Sequence, residues 1–325
     1  IIIEKASGRL VPEGYELVVT PESLSLRAGS SEGVFWGLQT IRQLVPISIV
    51  ESEAEDKPRM LEIPCLKIED SPRFGWRGFM LDSSRHFQTI DFIKKYIDIL
   101  AFLKMNRFHW HLTDNEGWRI EIKKYPKLTE VGAFLGTHPS LHGFYSQEEL
   151  KNVVQYAKER HVMVVPEIEV PGHSYAAMVS YPELCCTSKP VRADESSDNF
   201  WSKDIYCAGK EDVFVFINDV LSEVKEIFDS PYIHLGGDEV PKARWKECPR
   251  CQKRMRKEKL KDEEELQGYF TRRVSSFLRS KKRRVICWDE IVGTGVPRDV
   301  IVHWWRYRKQ SQGLTLLEKA VESGH

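Results

Sequence analysis

Asp238 and Glu239 stand side by side, directly after the apolar run Tyr232-Ile233-His234-Leu235 and the pair Gly236-Gly237. Adjacent side chains at a strand end diverge, so these two acids cannot act as an ordinary facing pair. One can protonate an atom of a bound molecule while the other holds a group next to it. Ionisable and aromatic residues recur after the other apolar runs: Asp82 with Arg85-His86, Asp114 with Glu116, Glu167 with Glu169 and His173, Trp288-Asp289-Glu290, and Trp304-Trp305-Arg306. A single acid at such a place serves equally well as a helix cap. Successive strand ends that all carry such residues are hard to assign to capping and point to one shared site. The chain also holds 9 Trp, 15 Phe and 11 Tyr, which suit stacking against flat ligands such as sugars, and no glycine-rich phosphate motif. Carboxylates with aromatics point to carbohydrate. Hydrolysis of a glycosidic bond needs an acid for the leaving oxygen and a second group for the positive charge at the anomeric carbon.

The elements that must position these residues follow from the hydrophobic pattern. Strand-length apolar runs lie at 78–82, 107–112, 162–169, 232–237, 284–290 and 300–305, with helical spacing at 89–105, 146–160, 212–228 and 262–280 between them. Alternation of this kind predicts an α/β fold with a parallel sheet covered on both faces. Six units in succession suggest a (β/α)8 TIM barrel, whose site lies at the carboxyl ends of its strands. Residues 1–70 read differently. Short alternating segments at 14–20 and 23–29, a helix at 30–45 with Ser30 or Ser31 as its cap, a polar loop at 50–60 and a strand at 65–70 predict a small α/β domain. Ser71-Pro72-Arg73 reads as the boundary, with the barrel domain over 73–325.

Lys plus Arg equals Asp plus Glu at 48 each, so no basic surplus argues for nucleic acid or an anionic membrane. No apolar stretch reaches the ~18 residues of a membrane span. The chain opens on Ile1-Ile2-Ile3, which reads as the middle of a strand, and the native N-terminus is expected to lie upstream.

The stretches RGFMLDSSRHF, KMNRFHWHLTDNEGWRIEIKKYPKLTEVGA, VPEIEVPGHS, IHLGGDEVPKARW, CWDEI and VIVHWWR resemble glycoside hydrolase family 20, the β-N-acetylhexosaminidases. EGVFWGLQTIRQL is similar to the small domain that precedes the barrel in that family. The resemblance implies exo-hydrolysis of terminal β-linked GlcNAc or GalNAc from a glycan or glycoconjugate. The configuration would be retained, with the substrate's own 2-acetamido oxygen as nucleophile and an oxazolinium intermediate. It implies that Glu239 is the general acid/base and that Asp238 holds the acetamide N–H and stabilises the developing charge. Gly236 and Gly237 would let the backbone turn tightly and keep bulk from the sugar. It further implies that Arg85 grips sugar hydroxyls, that Asp114 and His173 support the acid, and that Trp288 and Trp305 wall the acetamide methyl, with Trp304 the alternative to Trp305. No cofactor and no metal enter this chemistry. The substrate class favours a periplasmic or secreted setting, and the sequence sets no oligomeric state. Family members continue into two more strands with a Tyr, an Asp, a Trp and a Glu. A chain ending at His325 is therefore expected to leave strand edges unpaired and to turn over little by itself. The alternative reading is a non-catalytic glycan-binding relative, against which the intact Asp238-Glu239 pair argues.

Two further signals remain. His109-Trp110-His111 puts two histidines on one strand face, as in metal-dependent barrels, although packed histidines braced by carboxylates suit the position better. Cys248-x2-Cys251, with Cys185-Cys186 and Cys207 upstream, allows a structural zinc site, disulfides or free thiols. Cys65 and Cys287 read as buried strand residues.

Overall fold

In the computed structural model the described residues are 1–5, 10–45, 62–136, 138, 141–189, 202–306 and 311–325. The polar loop expected at 50–60 lies outside them. They form two compact units: residues 1–79 with 94–108 and 156–163, and residues 80–93 with 109–155 and 164–325.

The first unit contains a four-stranded sheet made of β1 (Ile2–Lys5), β2 (Tyr15–Val19), β3 (Leu24–Ala28) and β4 (Leu66–Asp70), in the order β1-β3-β2-β4. Strand β2 pairs antiparallel with both neighbours, and its period of two sends Tyr15, Leu17 and Val19 to the buried face. The helix Ser31–Leu44 begins where Ser30 caps it, its hydroxyl accepting from the Gly33 N–H at 3.4 Å. Trp36 of that helix joins Tyr15, Leu17, Leu26 and Ala28 in the core. Cys65 departs from expectation: it sits exposed, one residue ahead of β4, so it never enters the alternation that would bury it.

The second sheet is parallel and runs in chain order: β5 (Gly78–Asp82), β6 (Arg107–His111), β7 (Met163–Glu167), β8 (Tyr232–His234), β9 (Arg284–Trp288) and β10 (Ile301–His303). Glu167 lies opposite His234, Ile233 opposite Val285, and Val302 opposite Cys287, which is buried as expected. In β6 the successive residues Phe108, His109, Trp110 and His111 are all buried, the mark of a strand covered on both faces. The helices Ile90–Phe102, Gln147–Lys158, Glu211–Ile227 and Glu263–Ser280 lie between consecutive strands. In Glu211–Ile227 the buried residues Val213, Ile217, Val220, Val224 and Ile227 recur at three- and four-residue steps, one apolar stripe. In-order parallel strands with helices between them give the expected barrel architecture in partial form, with six strands among the described residues.

The strands stop earlier than their apolar runs suggest. The run 232–237 contracts to Tyr232–His234, because Gly236 and Gly237 take φ of 64° and 97° and leave the extended conformation. The run 300–305 contracts to Ile301–His303. The residues freed in this way form the loops that carry the candidate site.

Candidate active site

The site begins with the loop after β5. Asp82 accepts from the Ser84 and Arg85 amides and turns the chain, so that Arg85 comes to lie among acids. Its Nη1 is 2.9 Å from Asp82, its Nη2 is 2.7 Å from Asp114 and its Nε is 3.1 Å from Glu116. Burial disfavours the guanidinium charge, but Asp114, Asp82 and Glu116 outweigh it and raise its pKa. Arg119 fixes the same loop from beneath. Its buried guanidinium donates to the carbonyls of Ser83 at 3.1 Å, Ser84 at 2.6 Å, Ala133 at 2.7 Å and Gly143 at 3.0 Å.

A chain of buried contacts then runs from β7 to the acid pair. Glu167, at the end of β7, accepts from His111 Nδ1 at 2.6 Å, and His111 Nε2 donates to Asp114 at 2.9 Å. The other Asp114 oxygen accepts from His173 Nδ1 at 3.0 Å. His173 Nε2 in turn faces Asp238 at 3.5 Å and Glu239 at 3.6 Å. Burial opposes charge on His111, yet Glu167 and Asp114 hold it well above the ordinary imidazole range. Burial likewise opposes charge on His173, yet Asp114 and Asp238 raise it to about 9. Asp114 is held below the usual carboxylate range because the hydrogen bonds from His111 and His173 overcome its burial. Glu116 goes the other way, pushed up to about 7 by burial and by the Asp114 charge.

Asp238 and Glu239 differ in their surroundings. The Asp238 side chain is 19% exposed and that of Glu239 is 47% exposed. Burial raises the Asp238 pKa, and its buried Oδ1 has no hydrogen-bond partner among the described residues. The buried His173 Nε2 is likewise without one. Glu239 and His173 both take left-handed backbone, φ of 46° and 47°, a conformation that non-glycine residues adopt at a cost. Strain on both sides of a 3.6 Å contact is expected where geometry serves chemistry rather than stability.

Gly236 takes the tight turn read in the sequence and meets a second constraint as well. A Cβ there would lie 1.8 Å from the Glu169 carboxylate, so what it makes room for is a buried acid. Glu169 accepts from the Gly237 N–H at 3.2 Å and is raised well above the usual range by burial, then by the Asp238 and Glu167 charges. Glu167 itself is held well below it, because His234, His111 and His109 outweigh its burial.

Arg85, Asp114, His173, Asp238 and Glu239 are thus joined by contacts of 3.6 Å or less. Trp288 and Trp305 stand outside that chain. Trp288 is buried, its ring 4.6 Å from His234 and 4.4 Å from His303. Trp305 is 44% exposed and donates its indole N–H to Glu290 at 3.2 Å. Trp304, the alternative, is half-buried. Arg306 is held by the buried Asp289. His109 and His111 lie 2.8 Å and 2.6 Å from Glu167, which fits histidines braced by a carboxylate. Sequence reasoning placed Glu116, Glu167 and Glu169 among the converging strand-end residues and read His111 as a packed histidine, but gave none of the four a role of its own. The available signal was the period of two that puts Glu167 and Glu169 on one side of the chain, as it does His109 and His111.

The chain is similar to known proteins over nearly its whole length. The model of the glycosyl hydrolase family 20 catalytic domain matches residues 74–325, and that of domain 2 of the same family matches residues 2–71. A beta-hexosaminidase of Porphyromonas gingivalis is 47% identical over 91% of this chain and 38% of its own length. One from Akkermansia muciniphila is 36% identical over 97% of this chain and 62% of its own. The solved structure of a beta-N-acetylhexosaminidase from Bacteroides fragilis superposes with a TM-score of 0.86 at 42% identity, covering 99% of this chain and 62% of that one. The exo beta-N-acetylglucosaminidase of Vibrio harveyi, solved with N-acetylglucosamine, gives 0.84 at 36% identity, covering 98% and 50%. This chain therefore spans between about two fifths and three fifths of these relatives. By its sequence, its sheet order and its matched domains, the chain belongs to glycosyl hydrolase family 20.

Proposed function

We propose that the protein carrying this chain is an exo-acting β-N-acetylhexosaminidase that works with retention and substrate assistance. The observation that carries the proposal is His173 Nε2 poised between Asp238 and Glu239, with Asp114 behind it. In this reading the 2-acetamido oxygen attacks the anomeric carbon while Glu239 gives its proton to the departing glycosidic oxygen. A bicyclic oxazolinium forms. Water then adds to the same carbon as Glu239 takes back a proton, and the double inversion leaves the β configuration. Asp238 takes the acetamide N–H and carries countercharge. The contrast in exposure supports this division, since the buried acid holds an internal group and the exposed one reaches the leaving group. A nucleophile already attached to the substrate gains much of its rate from proximity.

Arg85 is assigned to the sugar hydroxyls. Three of its five N–H groups face acids and Nη1 also lies 3.2 Å from His111 Nε2, so the guanidinium is held in place with part of its donor fork left for a ligand. Asp114 and His173 orient the acid, and Trp288 and Trp305 shape the acetamide pocket. The matched spans 2–71 and 74–325 support a small N-terminal domain followed by the catalytic domain. The test is turnover of nitrophenyl β-GlcNAc and β-GalNAc against nitrophenyl β-glucoside, with the anomer of the first product followed by NMR. The acetamido sugars should be cleaved and the glucoside nearly untouched, with β product first. Equal turnover of the glucoside, or α product first, overturns the mechanism. Binding of GlcNAc without turnover favours the glycan-binding alternative.

A further inference from the structure

Away from the acid pair, four cysteines from three stretches of chain converge. Cys186 follows the short helical turn Pro182–Leu184, Cys207 precedes the helix Glu211–Ile227, Cys248 caps the helix Pro249–Glu258, and Cys251 lies in its first turn. Their sulfurs all lie within 4.8 Å of one another. Cys207 Sγ is 3.6 Å from Cys251 and 3.8 Å from Cys248, and Cys186 is 3.8 Å from Cys251. Cys207 and Cys251 are fully buried and Cys248 nearly so.

These separations bear on the possibilities left open by the sequence. A disulfide requires sulfurs about 2.05 Å apart, joined in exclusive pairs. Here Cys207 has two sulfur neighbours at nearly equal distance, and so does Cys251. A tetrahedral ion with metal–sulfur bonds of about 2.3 Å places its ligand sulfurs about 3.8 Å apart. The three separations of 3.6 to 3.8 Å match that edge, and all four sulfurs lie within 4.8 Å of one another. We propose that Cys186, Cys207, Cys248 and Cys251 bind one structural zinc ion as a closed tetrathiolate.

The surrounding backbone fits the assignment. Gly209 runs so close to the turn that a Cβ on it would lie 2.3 Å from the Arg250 carbonyl carbon, so the Cys207 loop can reach the Cys248–Cys251 turn only through a glycine. Cys248 and Cys251 sit at a helix N-terminus, where the backbone dipoles favour thiolates. Cys185 is turned away, its thiol donating to the Pro182 carbonyl at 3.2 Å, which resolves the choice between Cys185 and Cys186. A tetrathiolate leaves no open position for substrate, so the role is to hold. It ties the segment that follows Asp238-Glu239 to the one that follows His173. Arg244 with Asp204 at 2.8 Å, and the Trp245 N–H on the Tyr206 carbonyl at 2.9 Å, make the same join beside it.

The test is metal analysis of the purified protein after dialysis against metal-free buffer, with thiol counting and peptide mapping under non-reducing conditions. About one zinc per chain is expected. Stoichiometric cobalt(II) exchanged for it should give the intense visible bands of a tetrahedral thiolate complex. Cys207→Ser and Cys251→Ser should lose the metal and lower Tm by roughly 5 °C or more, since zinc binding is coupled to folding. Cys185→Ser should keep both. If the serine variants do not fold, the wild-type zinc count and cobalt spectrum still decide. Disulfides joining these cysteines, four free thiols that take up no zinc, or bound iron in place of zinc would each overturn the assignment.

Discussion

Glu239 is the residue on which the chemistry turns. Glu239→Gln keeps the shape and removes the proton donor, so substrates with poor leaving groups should slow by roughly 10²–10⁴. Activated aryl glycosides, which depart unaided, should slow much less, and equal losses on both would count against an acid role. His173 makes a second prediction. Its pKa rises from 6.5 to about 9 because it is bonded to Asp114. The linked stability is fully present below pH 6.5 and is lost as pH climbs through about 9. Wild type should therefore shed up to about 3 kcal/mol across that window that His173→Gln does not. In Asp114→Asn the imidazole keeps its burial and loses its anion, so its pKa should fall below 9, seen by NMR titration of the ring nitrogens. An unmoved pKa would mean that Asp238, not Asp114, holds the proton in place.

Among the elements, the turn after β8 carries the most information. Gly236 and Gly237 both have positive φ, but only Gly236 faces a close obstacle. Gly237→Ala should cost about 1–2 kcal/mol from the backbone alone. Gly236→Ala adds a collision with Glu169 and should cost more than about 3 kcal/mol in chemical denaturation. Equal losses would show that Glu169 simply moves aside. The sequence announced this turn plainly, since two glycines close an apolar run. It also announced the strands and helices, because apolar runs of strand length alternate with helices that keep their stripes. What it concealed was length and direction. Leu235, Trp304 and Trp305 are as apolar as the strand residues before them, and only the backbone decides that they belong to loops. The relay through His111 and Glu167 was hidden for a related reason. A buried histidine with a carboxylate partner has the same letters whether it packs, binds metal or orients an acid.

For the whole molecule, the order of the second sheet matters as much as its contents. Resemblance made the family legible from end to end, and the alternation alone gave the barrel class. Neither revealed that the cysteines gather to tetrahedral spacing, because a pattern of two close cysteines and two distant ones fixes no geometry. The sheet, by contrast, follows the order of synthesis: each of its strands lies beside the one made just before it. Each pairing therefore closes one crossover and no more, the longest running from the end of β7 at Glu167 to the start of β8 at Tyr232, which keeps the loop cost near the least that a parallel sheet allows. The chain is suited to assembly as it leaves the ribosome, each new βα unit docking on a platform already built. Stalled nascent chains of increasing length should gain protease resistance in steps that track the emergence of β7, β8 and β9. A single jump at the last of them would mean that the growing sheet holds nothing until it is whole.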